Sequence, residues 1–263
     1  MSGDRAAYDW ETGPAELAFA VTRRHVPDGA TGRMPIGPWV CGPDAAPAAG
    51  ALGLLVDSVL SLWAFAAQDR GMVSTEIAFD VLGALPAAGS VARAVTDRLD
   101  LGPDSGFVTG SVLDDHGRPV LACRQRVRLI PAGSPAEGGT TPAPVPPLPE
   151  APSLAALLGL QEGPAHLVHP AAPHLCNAMG NLHGGVILAA AEAAAHHAVD
   201  RDGGPALPTA SVHVTYLRAV PGGAEVELRP SVQHRGRSLA VVDVVAHAQG
   251  RACALVRVVL QAT

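Results

Sequence analysis

Two stretches of the chain are apolar on nearly every side, and each carries a single acid. Residues 48 to 67 read AAGALGLLVDSVLSLWAFAA, with Asp57 inside. Residues 184 to 192 read GGVILAAAE, with Glu192 flanked by alanines on both sides. A helix without a polar face is normally buried. A carboxylate on such a helix is costly unless it is paired or put to use. Both stretches therefore predict core helices, the second ending near Gly203. After each comes a run of alternating segments that predicts strands: 73 to 82, 91 to 99, 107 to 113 and 120 to 130, then 210 to 219, 224 to 233, 238 to 248 and 251 to 261. In the fourth, Leu121, Cys123, Val127 and Leu129 share one face, and Ala122, Arg124, Arg126 and Arg128 share the other. The arginine row reads as a solvated sheet face. Residues 14 to 24 predict an opening helix, 32 to 42 an extended segment, and 153 to 160 a short capped helix.

The two patterns are copies of one another. A shift of 135 positions lays Gly50 on Gly185 and Asp57 on Glu192 without a gap. The same shift lays Cys41 on Cys176, Pro86 on Pro221 and Val91 on Val226. So long a period indicates a duplicated domain rather than a short solenoid repeat. Between the copies lies a Pro/Gly/Ser/Thr tract, 131 to 152, with the character of an extended linker. The predicted division is residues 1–130, a linker at 131–152, and residues 153–263. One long helix before a run of antiparallel strands calls for a sheet that curls around it, so each half is α+β. The linker is long enough to let the halves pack as an intrachain pseudo-dimer.

Geometry constrains chemistry at the second helix. The stretch Asn177 to Glu192 is a polar, Gly-rich loop running into the helix, with Gly184 and Gly185 at its start. The first amides of a helix lack internal partners and sit at the positive end of its dipole. Glu192 lies seven residues beyond Gly185, about 10 Å along the axis. A carboxylate working with those amides must therefore come from another, oppositely directed helix. The duplication supplies one in Asp57.

Composition narrows the rest. Of the 263 residues, 48% are hydrophobic and 3% aromatic, so the core must be aliphatic and alanine-rich. A net charge of −6 without a long basic run argues against nucleic acid and against an anionic membrane surface. The first twenty residues lack a signal-peptide core, and no apolar run approaches membrane-spanning length. Four cysteines without a C-x-x-C pair read as buried thiols in a reducing cytoplasm, with a Cys41–Cys176 disulfide as the weaker alternative. His166, His169 and His174 lack regular ligand spacing, so no metal is assigned. His196 and His197 read as covering a helix end. Residues 241 to 245 are apolar on both faces, which leaves room for further homo-oligomerisation.

The pattern Asn177, Gly180, His183, Gly184, Gly185, with an acid nine residues after the histidine, resembles the hotdog-fold acyl-CoA thioesterases. The likeness is to the branch of the 4-hydroxybenzoyl-CoA and phenylacetate-pathway enzymes. Thr215-Tyr216-Leu217-Arg218 and Arg235-Gly236-Arg237 resemble that branch too. The resemblance covers nearly all of 153 to 263, and 32 to 130 more weakly. It implies two tandem hotdog domains whose composite sites each pair helix-start amides from one domain with a carboxylate from the other. The implied substrate is an acyl-CoA, cleaved to free acid and coenzyme A with no separate cofactor.

Two composite sites result, and they are unequal. One joins Asn177, His183, Gly184 and Gly185 to Asp57, with Ser74 or Thr75 where the family places a hydroxyl. The other joins Gly50 to Glu192, but Gly42, Ala48 and Ala49 replace Asn177, His183 and Gly184. The first is the expected active site. There the Gly185 amide, with that of Gly184, would stabilise an oxyanion, and Asp57 would act as base or nucleophile. Asn177 would orient water or the carboxylate. His183 would brace the loop or bond the thioester, and Ser74 or Thr75 would hold the water. Arg218 and Arg237 would meet the coenzyme A phosphates. Glu192 reads first as a structural acid. Two other functions compete: a non-catalytic acyl-CoA or acyl-carrier binding module, and, ranked last, a hotdog enoyl-thioester hydratase.

Overall fold

The two alanine-rich stretches are helices because nothing in them breaks a helix and almost every side chain can be buried. The structure is a computed structural model that describes residues 12–42, 45–68, 71–130, 149–163, 166–201, 203 and 205–262. Its elements begin with α1 (Pro14–Ala18), β1 (Thr22–Val26), β2 (Gly29–Pro35) and α2 (Ala49–Gln68). Then come β3 (Met72–Val81), β4 (Val91–Leu101), β5 (Ser105–Leu113) and β6 (Pro119–Leu129). The second half runs α3 (Leu154–Leu158), β7 (Gln161–Glu162), β8 (Leu167–Pro170), α4 (Gly184–Arg201), β9 (Thr209–Tyr216), β10 (Glu225–Arg235), β11 (Leu239–Ala248) and β12 (Arg251–Gln261). The linker predicted at 131 to 152 falls largely outside the described residues.

The strands form one antiparallel sheet in the order β1-β2-β4-β5-β6-β3-β9-β12-β11-β10-β8-β7. The second six strands mirror the first six, so the duplication is written into the sheet as a pseudo-twofold. Its axis passes through the β3–β9 seam, where Ala78 pairs with His213. Under the shift of 135 these two residues are each other's mates. Helices α2 and α4 pack on each other and line the inner face, α2 against β2, β4 and β5, α4 against β10 and β11. The start of each helix meets the middle of the other: the Gly50 amide donates to Glu192, and the Gly185 amide donates to Asp57. The helices are thus antiparallel, as the seven-residue argument requires. The inner face of β6 follows the predicted alternation, with Leu121, Cys123, Val127 and Leu129 buried.

The halves also exchange their opening helices. The Ala15 amide of α1 donates to the Cys176 carbonyl in the second half, and the Leu154 amide of α3 donates to the Cys41 carbonyl in the first. Cys41 and Cys176 are buried and not joined in a disulfide, so the disulfide alternative falls.

Three expectations need correction. The opening helix stops at Ala18 instead of reaching 24, because Ala20 takes a left-handed φ of 55° and the chain turns into the β1–β2 hairpin. Pro27-Asp28-Gly29 is the turn signal there, since proline presets one turn dihedral and glycine tolerates the rest. The short β7–β8 hairpin was likewise not foreseen. Finally, Ala49–Ala67 does reach membrane-spanning length and apolarity, with mean hydropathy 1.7 over 19 residues. Its window is 78% buried inside the protein, as expected of a core helix.

Candidate active site

Asp57 faces the start of α4 and is held from both sides. Its Oδ1 accepts from Ser74 Oγ at 2.8 Å, from Gln125 Nε2 at 2.8 Å and from Ser61 Oγ at 3.2 Å. Each donor has a local reason to be there. Ser61 lies one helical turn beyond Asp57 on the same face. Ser74 opens β3. Gln125 occupies an inward position of β6, between Cys123 and Val127, and is fully buried. Its amide nitrogen also touches Ser61 Oγ and Ser74 Oγ at 2.9 and 2.7 Å. The other oxygen, Oδ2, accepts from the Gly185 amide at 3.2 Å and lies 3.3 Å from His183 Nδ1.

The helix start is shaped by close approach. A Cβ on Gly185 would overlap the backbone of Gly53 and Leu54, so α2 and α4 touch there through backbone. A Cβ on Gly184 would lie 2.7 Å from Asp57 Oδ2 and 2.9 Å from the Tyr216 hydroxyl. Both positions demand glycine for space rather than for turn conformation.

Behind His183 stands a buried row of charges. Its Nε2 lies 3.5 Å from Glu16 Oε1, and Glu16 lies 3.3 Å from Arg23. Glu16 also accepts from Ser58 Oγ at 3.3 Å, while Arg23 donates to the Ser58 carbonyl at 3.0 Å. Burial alone would raise the Glu16 pKa, but Arg23 and His183 together hold it well below the usual carboxylate range. Burial alone would lower the His183 pKa, but the carboxylates of Glu16 and Asp57 outweigh it and raise the value. Burial, and the Asp57 charge after it, push the Tyr216 phenol well above its ordinary range.

The mirror position is built differently. Glu192 Oε2 accepts from the Gly50 amide at 2.7 Å, and Oε1 accepts from Thr209 Oγ1 at 2.6 Å. His196 Nε2 meets the same Thr209 hydroxyl at 2.9 Å, so His196 joins this cluster instead of covering a helix end as expected. Under the shift of 135, Thr209 is the mate of Ser74, and His196 is the mate of Ser61. Gln125 pairs with Ile77, and Val258 pairs with Val212, the mate of Ile77, so an aliphatic side chain stands in for the amide. Ala48 and Ala49 stand in for His183 and Gly184. Both acids are buried and both face a helix-start amide, but only Asp57 has a histidine 3.3 Å away and a glutamine side chain donating to it.

Asp57, Ser74, His183, Gly184 and Gly185 are thus brought together, and four other expected members are not. Thr75 is the extra residue of a β-bulge between Ser74 and Glu76, and its hydroxyl donates to the Arg126 carbonyl, away from Asp57. The bulge turns one of two adjacent hydroxyls inward and the other out. Asn177 folds back on its own loop, where its Oδ1 accepts from the amides of Met179 and Asn181 at 3.0 and 3.2 Å. That is the local competition by which asparagine shapes turns, and it uses up the oxygen expected to orient water. Arg218 is exposed and donates to the Ala252 carbonyl; Arg237 is exposed in the β10–β11 turn. Neither touches the Asp57 cluster.

Sequence reasoning missed Gln125, Ser61, Glu16, Arg23 and Tyr216. Gln125 was detectable as the one amide in the inward row of β6. Tyr216 was detectable as the one phenol continuing the inward row Val212, Val214 of β9. Glu16 and Arg23 gave no such signal, because they sit in the segment misread as a single helix. Among the described residues no group of three or more His, Cys, Asp or Glu is arranged to hold a metal ion.

Chemically, the cluster joins a carboxylate fixed by three donors to an amide at the positive end of a helix. That pair can bind and polarise a carbonyl while a base or nucleophile waits beside it.

Comparison with known proteins agrees with this arrangement at the level of fold. The thioesterase superfamily matches residues 179–254, which include His183, Gly184, Gly185 and Glu192 but not Asp57. No curated protein sequence matches the chain. Among solved structures, the tesB protein of Mycobacterium avium subsp. paratuberculosis aligns with a TM-score of 0.65 at 13% identity, covering 93% of this chain and 97% of that one. The 12:0-ACP thioesterase of Umbellularia californica aligns with a TM-score of 0.60 at 13% identity, covering 92% and 94%. A conserved protein of unknown function with a hot dog fold from Alicyclobacillus acidocaldarius aligns with a TM-score of 0.59 at 13% identity, covering 96% and 99%. The chain is a double hotdog, and the half of it that supplies the His183–Gly185 helix start carries the thioesterase superfamily match.

Proposed function

We propose that the chain hydrolyses an acyl thioester, specifically an acyl-CoA, to a free acid and a thiol at the composite site between its halves. The observation that carries this reading is the meeting of Asp57 from α2 with the Gly185 amide that opens α4. The superfamily match over the second half supports it. The coenzyme A assignment rests on the resemblance of the Asn177–Glu192 and Thr215–Arg218 stretches to the acyl-CoA branch. Arg218 and Arg237 are the exposed cations proposed to meet its phosphates.

In this reading the substrate carbonyl oxygen takes the Gly185 N–H from Asp57. The helix dipole and the low dielectric of the buried site then favour the negative charge that grows on that oxygen. Asp57, released from the amide, takes a proton from water. The hydroxide adds to the carbonyl carbon to give a tetrahedral oxyanion. Collapse breaks the carbon–sulfur bond, and the proton on Asp57 passes to the departing sulfur. Three hydrogen bonds on Oδ1 fix the carboxylate and leave Oδ2 as the oxygen that takes the proton. Ser74 and Gln125 are the positioning groups. His183 is the group that either holds Asp57 ionised or accepts the Gly185 amide when no substrate is present.

A second reading, an acyl-thioester binding module without turnover, draws on one observation: the Gly185 amide is already engaged by Asp57 and His183. A panel of acyl-CoA and acyl-ACP substrates separates the two. Turnover lost in Asp57→Asn supports hydrolysis, and tight binding without turnover supports the module. Faster turnover of acyl-ACP than of every acyl-CoA would overturn the coenzyme A assignment. A single turnover in oxygen-18 water distinguishes base from nucleophile, since only direct attack leaves label on Asp57.

A further inference from the structure

The Tyr216 hydroxyl is buried, has no hydrogen-bond partner among the described residues, and points at the start of α4. A buried hydroxyl without a partner is destabilising, so such groups are usually paired or used. Tyr216 is neither paired nor an accident of the fold. Its mate under the shift of 135 is Val81, so an aliphatic side chain serves this position where Ala48 and Ala49 replace His183 and Gly184. The phenol occurs only at the position that also has His183, Gly184 and Asp57.

Its placement defines what it can reach. The space over the Gly184 Cα lies within hydrogen-bonding distance of both the Tyr216 hydroxyl and Asp57 Oδ2. A carbonyl oxygen that takes the Gly185 amide from Asp57 must sit at this same helix start. We propose that Tyr216 is a catalytic residue, its O–H donating a hydrogen bond to the thioester carbonyl oxygen alongside the amide of Gly185. The inference rests on the thioester reading above and adds to it a side-chain donor for the oxyanion. Burial and the Asp57 charge keep the phenol protonated, so it stays a donor across the working pH range. It transfers no proton; it only shares one with the oxyanion.

The test is Tyr216→Phe, which removes one oxygen and keeps the ring. Loss of one oxyanion donor predicts a fall in kcat of about 10² with KM little changed. The melting temperature should stay level or rise, because an unpartnered buried hydroxyl has gone. A merely structural tyrosine would move stability and not this ratio. A second readout needs no turnover: a dethia acyl-CoA, with methylene in place of sulfur and carbon-13 at its carbonyl, followed by infrared spectroscopy. Its carbonyl stretch should lie at lower frequency in the wild type than in Tyr216→Phe. A wild type that shifts this stretch but hydrolyses nothing would end the hydrolase reading and still support the Tyr216 bond. Wild-type kcat in Tyr216→Phe, or the same stretch in both proteins, would overturn the proposal.

Discussion

The Gly185 amide and Asp57 Oδ2 meet at 3.2 Å although 128 positions separate them in the chain. The carboxylate and the helix start come from opposite halves, so neither half contains the site alone. Asp57→Asn keeps the shape and removes the charge. It should lower kcat by at least about 10³, in the range seen when a general base is lost together with its charge, with the melting temperature little changed. Glu192→Gln should leave kcat within about threefold and instead cost about 1–3 kcal/mol, because Gly50 and Thr209 lose a charged acceptor. Steady-state kinetics on an acyl-CoA, with thermal melts of both variants, checks the pair. The opposite ranking would mean that the working site is the mirror one.

Gln125 is the partner by which the sheet orients the acid. Gln125→Leu leaves Asp57 Oδ1 with two serine donors and both serines without the amide. Activity should fall by about tenfold to a hundredfold, corresponding to one charge-assisted hydrogen bond. The companion change Val258→Gln, at the mate of Gln125, should leave activity unaltered. Kinetics of the two variants side by side tests whether the amide matters for where it is or only for filling the sheet.

Glycine at the helix start is a matter of space. Gly185→Ala would drive a methyl into the backbone of Leu54 and push α2 from α4. It should destabilise by about 1–3 kcal/mol, as overpacked contacts do, and abolish turnover. Gly184→Ala points its methyl at Asp57 and Tyr216 instead. It should spare stability relative to Gly185→Ala while losing comparable activity. Denaturant melts with parallel assays distinguish the two.

Stability should be dome-shaped in pH around the Glu16–His183 pair. Glu16 has a lowered pKa, so its contribution is present above about 4.5 and is lost as pH falls toward its depressed value. His183 has a raised pKa, so its contribution is full below about 6.5 and is lost as pH rises through its elevated value. Glu16→Gln removes the charge that raises His183 and leaves Arg23 without its buried counter-ion. It should cost about 3 kcal/mol near pH 6 and flatten the alkaline decline. Equilibrium denaturation across the pH range reads both slopes. An alkaline limb identical to that of the wild type would show that Glu16 does not govern His183.

Much of this architecture could be read from residue pattern, and the parts that could not share a cause. The two core helices, the strands after them and the antiparallel pairing of Asp57 with Gly185 follow from apolar runs, alternation and helical rise. Each of these is a local or periodic signal. Gln125 broke an apolar alternation, and that break was the signal passed over. Thr75 and Ser74 could not be told apart, because a bulge decides which one faces in and a bulge has no fixed sequence mark. Glu16 and Arg23 meet His183 only through the exchange of opening helices between halves, a tertiary event that no local pattern encodes. Asn177 followed the ordinary turn habit of its residue type over the role that resemblance suggested.

The self-mated pair at the seam, Ala78 with His213, carries an evolutionary corollary. A strand edge that recognises its own symmetry mate would equally accept a second copy of itself. Two molecules of the rear half alone could join β9 to β9, and each would then offer Glu192 to the other's Gly185. Such an assembly would carry glutamate opposite both helix starts, where the joined halves put Asp57 opposite one and Glu192 opposite the other.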